Sequence, residues 1–514
     1  MITTFSDKDI EQIKAYGLSV DEVENQIINF IKGFPYVKLH QSVSKGNGVL
    51  DMSEAEIDNT IRYYEENKSK HSILKFVPSS GAATRMFKDL IEFSGLYMGM
   101  PYTMKHFPSA HKTLDNIESF AFYPILESVI DESGISLEEH MEAGNYTTVV
   151  NYILTEAGLN YGNVPKALIA FHEYPDSEER NIRYAIEEHL VEAANYARGE
   201  SSEVNLHFTV SPEHKEEIAE LITEVQPYYE EVFGVKYLIN YSLQKKETDT
   251  IAVNPDNTLA YDKDDKLIFR PAGHGALIEN LNDIKGDIIF IKNIDNVAHD
   301  KLKHHTYKYK KLLAGTLLKV QEEVFSALRK LETGTLRAQD VVDIITLSNK
   351  IGINLSEQEK KSEDMLKVLF DKLNRPIRVC GVVKNESEPG GGPFWVEHGG
   401  VRSLQIVESS QVNMLDEDQK TIFQASNYFN PVDLVCGVKD YKSRNFDLRN
   451  FVDKDSGFIS NKSKDGKLIK AQELPGLWNG AMANFITLFV EVPIETFTPV
   501  KEINDLLRTE HQYS

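Results

Sequence analysis

FRPAGHGALIENLNDIKGDIIFIKNIDN, residues 269–296, is the stretch on which the fold turns. Pro271, Gly273 and Gly275 make a tight loop in which missing β-carbons let the backbone approach a ligand closely. Residues 276–282 form a short amphipathic turn of helix. The run Asp287–Ile291 is rich in β-branched and aromatic side chains, as in strands buried within a parallel sheet. At its carboxyl end the polar residues Asn293, Asp295 and Asn296 emerge. Open α/β sheets bind ligands outside the carboxyl ends of their strands. A carboxylate there is placed to hold a hard divalent cation beside phosphate oxygens. A strand end capped by an Asx turn accounts for the same residues.

The 514 residues are too many for one core and imply two or three domains or lobes. No apolar run approaches the roughly 20 residues of a membrane span. The first residues lack the basic, apolar and small-residue pattern of a signal peptide. Two cysteines, Cys380 and Cys436, fit a reducing cytoplasm better than a disulfide framework, and both read as buried, inert thiols. A net charge of −23 repels nucleic acid and anionic lipid, so neither is an expected partner. An anionic substrate would need lysines and arginines gathered at one place.

Taken in order, residues 1–70 read as a helical N-terminal cap, with Val23, Ile27, Ile28 and Ile31 on a helical period. Residues 71–320 read as a nucleotide-binding half of the core, with a helical insertion over 87–163. Ile73–Val77 is a strand candidate. The small-residue loop Pro78–Met86 and a helix from about Phe87 follow it. Strand, loop and helix of this kind place phosphate at a helix N-terminus, and Arg85 adds a cation there. Lys166 follows Pro165 into an apolar strand that reaches His172. Residues 176–198 read as a long amphipathic helix, with His172 and His189 as packing or hydrogen-bonded residues. Val204–Val210 and Tyr237–Leu243 are strands, the second ending at Gln244, with a helix over 211–225 between them. Lysines 301–311 with His304 and His305 read as a solvated helix face. Residues 321–375 form a second helical insertion, and 376–514 the other half of the core. The alternation of strands and helices predicts a mostly parallel α/β sheet covered on both faces.

These residues together resemble the UDP-sugar pyrophosphorylases, above all the UDP-N-acetylhexosamine pyrophosphorylase type. Their signature G-G-x-G-T-R-L/M is similar to Ser80-Gly81-Ala82-Ala83-Thr84-Arg85-Met86, and their Pro-Lys pair to Pro165-Lys166. Their glutamine ahead of an apolar strand is similar to Gln244. Their P-x-G-N/H-G-G/A loop around base and ribose is similar to Pro271-Ala272-Gly273-His274-Gly275-Ala276. Their magnesium-binding D-N pair is similar to Asp295-Asn296. Farther on, Val379–Lys384 and Ser403–Val412 resemble a strand pair ending in V-V-E-Y-S-E, with Glu408 at a sugar hydroxyl. Ala425-Ser426-Asn427-Tyr428-Phe429 resembles G-N-I-x-N-H-F-F, which would place Asn427 at the sugar. Phe497–Lys501 resembles F-S-P-L-K-N, whose lysine reaches the phosphates. Ser80 and Ala83 stand where the family has glycine, and about 80 residues separate Arg85 from Lys166, many more than in the family. At finer grain the whole chain resembles a bacterial family known as domain of unknown function, number 4301.

The resemblance implies a Rossmann-like, mostly parallel mixed sheet of the nucleotide-diphospho-sugar transferase (GT-A-like) type, with helical insertions. It implies a Mg²⁺-dependent nucleotidyltransferase that joins a nucleoside triphosphate, UTP by preference, to a sugar 1-phosphate and releases pyrophosphate. Arg85, Lys166 and Lys501 would handle the phosphates and Asp295 the metal. Gly81, Thr84, Gln244, Gly273, His274, Gly275, Asn296, Glu408 and Asn427 would bind substrate, with the two loop glycines facing base and ribose. Two other classes stay open: a glycosyltransferase on the same fold, and a nucleotide-sugar sensor or scaffold without catalysis. Gly390-Gly391-Gly392 reads as a structural turn, because no clear helix follows it.

Overall fold

The computed structural model describes residues 5–81, 83–96, 105–177, 179–199, 202–385, 391–464 and 466–513. Ala82 of the small-residue loop and Gly390 of the glycine-rich turn lie outside the described residues. The architecture is mixed α/β. The chain forms two compact units, each assembled from three stretches. The first takes Met1–Ile73, Ser242–Ile291 and Lys311–Val492, the second Leu74–Tyr241, Lys292–Lys310 and Pro493–Ser514.

In the first unit a mixed sheet runs in the order Ser44–Lys45, Gly48–Leu50, Ile486–Glu491, Ile377–Lys384, Asp433–Gly437, Ile288–Lys292. Ile377–Lys384 is parallel to Ile486–Glu491 and antiparallel to Asp433–Gly437. The four strands Ile486–Glu491, Ile377–Lys384, Asp433–Gly437 and Ile288–Lys292 are buried along nearly their whole length, as their continuous apolar runs require. A four-stranded sheet orders Phe269–Arg270, Thr250–Val253, Lys467–Glu473 and Phe458–Lys464. The helices Asp7–Ala15 and Val20–Lys32 cover it, packing Ile13, Val23, Ile27 and Phe30 with Ile251 and Val253. Each helix begins at a serine that caps the third helical amide while the acid there reaches back. A third sheet joins Leu39–Ser42, Gly392–His398 and Val401–Val407.

Two expectations change in this unit. The stretch read as helical to residue 70 also holds three short strands, Leu39–Ser42, Ser44–Lys45 and Gly48–Leu50. Leu39–Ser42 pairs with Gly392–His398 and Gly48–Leu50 with Ile486–Glu491, partners more than 300 residues away that leave no local periodicity. Residues 379–384 and 403–407, which the resemblance treats as a pair, lie in different sheets. Cys380 and Cys436 are buried thiols that form no disulfide, and burial pushes the Cys380 thiol up to about 12.

In the second unit Ile73–Pro78, Glu203–Val210 and Lys236–Leu243 lie side by side, the first two parallel. The apolar run after Pro165 does not enter that sheet. It forms a 3-10 turn, Lys166–Leu168, and then Ala170–Glu173, which pairs antiparallel with Ile182–Tyr184. The helix expected from residue 176 therefore begins only at Ala185. It is also not amphipathic, because Glu187, Glu188 and Glu192 are all 0% exposed. Helix Lys215–Phe233 runs on through Pro227 and stops at Gly234, which takes the left-handed conformation (φ 58°). Among the described residues five α-helices lie between Lys88 and Leu154. Among the described residues no helix is long and apolar enough to cross a membrane.

Candidate functional site

Three residues far apart in sequence meet in the second unit. Lys166 Nζ donates to Asp295 Oδ2 at 2.7 Å and to the Val500 carbonyl at 2.6 Å. Lys501 Nζ donates to the same Asp295 Oδ2 at 3.1 Å. The backbone brings them there. Val500 N–H donates to the Asp295 carbonyl at 2.9 Å, and Thr498 N–H to Asn296 Oδ1 at 3.0 Å. Downstream, Asp505 accepts from the Lys501 and Glu502 amides at 2.7 and 2.8 Å and fixes the turn that presents Lys501. Pro165 is extended (ψ 158°), and the 3-10 turn after it aims Lys166 inward.

Exposure separates the two lysines. The Lys166 side chain is 12% exposed and that of Asp295 10%, whereas Lys501 is 58% exposed. Burial draws the Lys166 ammonium down, and the Asp295 charge opposes that shift. Burial acts to raise the Asp295 carboxyl, but Lys166 and Lys501 more than offset it, so Asp295 sits below the usual range and is ionised.

The small-residue loop lies against the same segments. Ala83 N–H donates to the Val164 carbonyl at 3.3 Å, and Ile503 N–H to the Met86 carbonyl at 3.1 Å. Ser79 is buried and donates its hydroxyl to the Thr209 carbonyl at 2.8 Å. Gly81, Thr84 and Arg85 are exposed, and a β-carbon on Gly81 would meet nothing within 4 Å. Ala83, standing where the resembling family has glycine, is 0% exposed, so its methyl points into the protein. Residues 83–85 form a 3-10 turn, and the helix begins at Lys88.

The other candidates belong to the first unit. The loop 271–276 packs against residues 474–480, which sequence reading passed over. Leu474 N–H donates to the Ala272 carbonyl at 3.0 Å, Leu477 N–H to His274 Nδ1 at 3.0 Å, and the His274 ring stacks on Trp478 at 4.0 Å. Burial lowers His274 to about 4, so the ring is neutral. The glycines also have a packing reason within the protein itself. A β-carbon on Gly275 would lie 2.1 Å from the Pro475 carbonyl oxygen, and one on Gly273 (φ 77°) 2.8 Å from Glu473 Oε2. Asn479 Nδ2 donates to Glu408 Oε1 at 2.9 Å, so the same segment also holds the candidate sugar residue. Asn427 is exposed and accepts at its carbonyl from Asn385 N–H at 2.9 Å. Gln244 is half-buried beyond its strand, with Nε2 3.5 Å from Thr248 Oγ1.

The largest group missed in the sequence is charged and buried. Glu192 accepts from Lys292 Nζ at 2.7 Å and from Lys75 Nζ at 2.9 Å, and Lys75 also donates to the His189 carbonyl at 3.1 Å. Burial lowers Lys75 to about 7 against the pull of Glu192. Burial acts to raise Glu192, and Lys292 with Lys75 reverses it, leaving the carboxyl well below its ordinary value. His189 is neutral, because burial lowers it well below its ordinary value, and its Nε2–H donates to the Ile294 carbonyl at 3.2 Å. Glu188 accepts from Lys303, from Tyr174 at 2.8 Å and from His172 Nδ1 at 2.7 Å, while His172 Nε2 lies 2.8 Å from His511 Nδ1. Lys303 and Lys310, at 1% and 0% exposure, are thus no solvated face. A lysine inside the apolar runs 73–77 and 288–292 is the one signal that could have exposed this network.

Asp295 leaves one oxygen that could take a magnesium ion. Asp295 Oδ1 is buried and has no hydrogen-bond partner among the described residues. Among those residues there is no group of three or more metal-type side chains. One free carboxylate oxygen suits a cation that takes most of its octahedron from water and substrate phosphates.

The chain is similar to several solved pyrophosphorylases. A mutant UDP-glucose pyrophosphorylase from Leishmania major, in complex with UDP-glucose, is 11% identical with a TM-score of 0.45, covering 98% of this chain and 79% of that one. A UDP-glucose phosphorylase from Trypanosoma brucei is 14% identical at TM-score 0.46, covering 97% and 77%. The uridine diphosphate N-acetylglucosamine pyrophosphorylase of Trypanosoma brucei, in complex with an inhibitor, is 11% identical at 0.47, covering 98% and 79%. No curated protein matches the sequence. The family model for the domain of unknown function DUF4301 matches residues 6–512, and the chain belongs to that family.

Proposed function

We propose that the protein is a nucleotidyltransferase with a Rossmann-like, GT-A-type core, which forms a nucleotide sugar and pyrophosphate from a nucleoside triphosphate and a sugar 1-phosphate. The observation that carries this reading is the meeting of Lys166, Asp295 and Lys501, three residues marked by separate motifs, on one carboxylate oxygen. A sugar 1-phosphate oxygen attacks the α-phosphorus, a new P–O bond forms, and the bond to the β-phosphate breaks to release pyrophosphate. Such a transfer needs positioning and charge neutralisation more than a protein base. Lys166 and Lys501 flank the α-phosphate, and Arg85, exposed on its loop, meets the β- and γ-phosphates. Asp295, with Oδ1 free, would hold Mg²⁺, which supplies charge neutralisation at the phosphate oxygens. Each such donor contributes about 3–4 kcal/mol in the transition state. Uridine preference and the sugar roles of Glu408 and Asn427 follow the motif resemblance.

The sensor reading draws on one observation, the buried methyl of Ala83 in the signature loop. Pyrophosphate release from a panel of nucleoside triphosphates and sugar 1-phosphates with Mg²⁺, beside Asp295→Ala and Lys501→Ala, separates the readings. Release with one pair and its loss in both variants is the expected result. Nucleotide-sugar binding by calorimetry with no release from any pair overturns the transferase and favours the sensor. Sugar transfer from a nucleotide sugar, with no pyrophosphate chemistry, would identify a glycosyltransferase.

A further inference from the structure

The chain leading to Asp295 rests on a bridge of buried charges. Glu192 lies between Lys75 and Lys292, and all three are 0–1% exposed. Two lysines against one carboxylate is a costly way to fill an interior. Apolar side chains of similar volume often do so as stably or more stably. What they cannot supply is direction, since each charge-assisted hydrogen bond fixes a distance and an angle. Lys75 sits in the strand that runs into the Ser79–Met86 loop, and Lys292 lies three residues before Asp295. His189, one turn before Glu192 on the same helix, donates to the carbonyl of Ile294, the neighbour of Asp295. One helix face therefore grips both segments that carry the candidate phosphate-handling residues.

We infer that Glu192 and His189, acting through Lys75, Lys292 and the Ile294 carbonyl, are positioning residues that set Asp295 and the Arg85 loop in register for a polyphosphate and its cation. The inference rests on the nucleotidyltransferase reading. The test replaces the bridge in the full chain by apolar side chains, Lys75→Met, Glu192→Leu and Lys292→Met together. The urea midpoint is expected to hold or rise. Mn²⁺ affinity, read by electron paramagnetic resonance, should fall 10–100-fold. The kcat should fall by a similar factor with the nucleotide KM unchanged. Amide hydrogen exchange over residues 293–297 should quicken by at least about tenfold, because the segment loses its grip. A folded triple variant that matches the wild type in Mn²⁺ binding, kcat and exchange overturns the inference. If the wild type itself neither turns over nor binds Mn²⁺, the reading beneath fails, and exchange alone decides the positioning. Should the triple variant not fold, His189→Leu leaves the bridge intact and removes only the Ile294 bond. Unchanged exchange in that variant overturns the inference equally.

Discussion

Removing Asp295 separates stability from chemistry in a way the three-residue cluster makes specific. In Asp295→Ala, Lys166 keeps only the Val500 carbonyl, and its side chain is 12% exposed. A buried charge stripped of its partner costs about 3–5 kcal/mol. Lys166 can limit that loss by giving up its proton, since burial already draws it down, which places the cost near about 3 kcal/mol. Lys501 is 58% exposed, so water screens its bond to Asp295, and its loss adds at most about 1 kcal/mol. Lys501→Ala should therefore cost no more than about 1 kcal/mol of stability. Lys166→Met should fall between, near about 2 kcal/mol, because Asp295 retains Lys501. Urea unfolding followed by circular dichroism gives this order. Pyrophosphate release should not follow it, with all three variants losing about 10²–10³ in kcat. Equal destabilisation by Lys501→Ala and Asp295→Ala would refute the reasoning, as would an Asp295→Ala cost below about 1 kcal/mol.

Lys75, drawn down to about 7 by burial, gives a second test. From about pH 7 to 10 the unfolded chain binds more protons than the folded one. The contribution of Lys75 to stability thus rises with pH, by up to about 1.4 kcal/mol per unit. Lys75→Met should flatten that rise, and parallel urea midpoints in the two proteins across this range would exclude it. Gly275→Ala drives a β-carbon to 2.1 Å from the Pro475 carbonyl and should cost about 1–3 kcal/mol or more by thermal unfolding. Gly81→Ala meets open space and should leave stability unchanged while weakening nucleotide binding in calorimetry. Chelation of Mg²⁺ should abolish pyrophosphate release, and turnover that survives it would remove the metal role of Asp295.

The runs at 73–77 and 287–291 were legible as strands because buried strands need near-continuous apolar side chains, and 204–210 because its side chains alternate between buried and half-buried positions. The cluster was legible only as separate motifs, since no local pattern says that Lys166 and Lys501 share one oxygen of Asp295. The short strands at 39–50 could not be read, because each exists only through a distant partner. The helix Ala185–Tyr196 misled for a related reason. Glu188 and Glu192 look solvated until Lys303, Lys75 and Lys292 are placed around them. Gly275 was found by its residue type, but its crowding against Pro475 needed the fold.

The division of the second unit into three stretches bears on how it is made. Lys166 and Asp295 are 129 positions apart, and Asp295 and Lys501 a further 206. A ribosome adding about 5–20 residues per second takes roughly 10–40 s to cover that second interval. Throughout it, Asp295 has been made while the Val500 amide and the Lys501 ammonium do not yet exist. Contacts this distant in sequence also close late and slow the search for the native state. The nascent unit must therefore wait with an incomplete C-terminal seam until the last stretch is made.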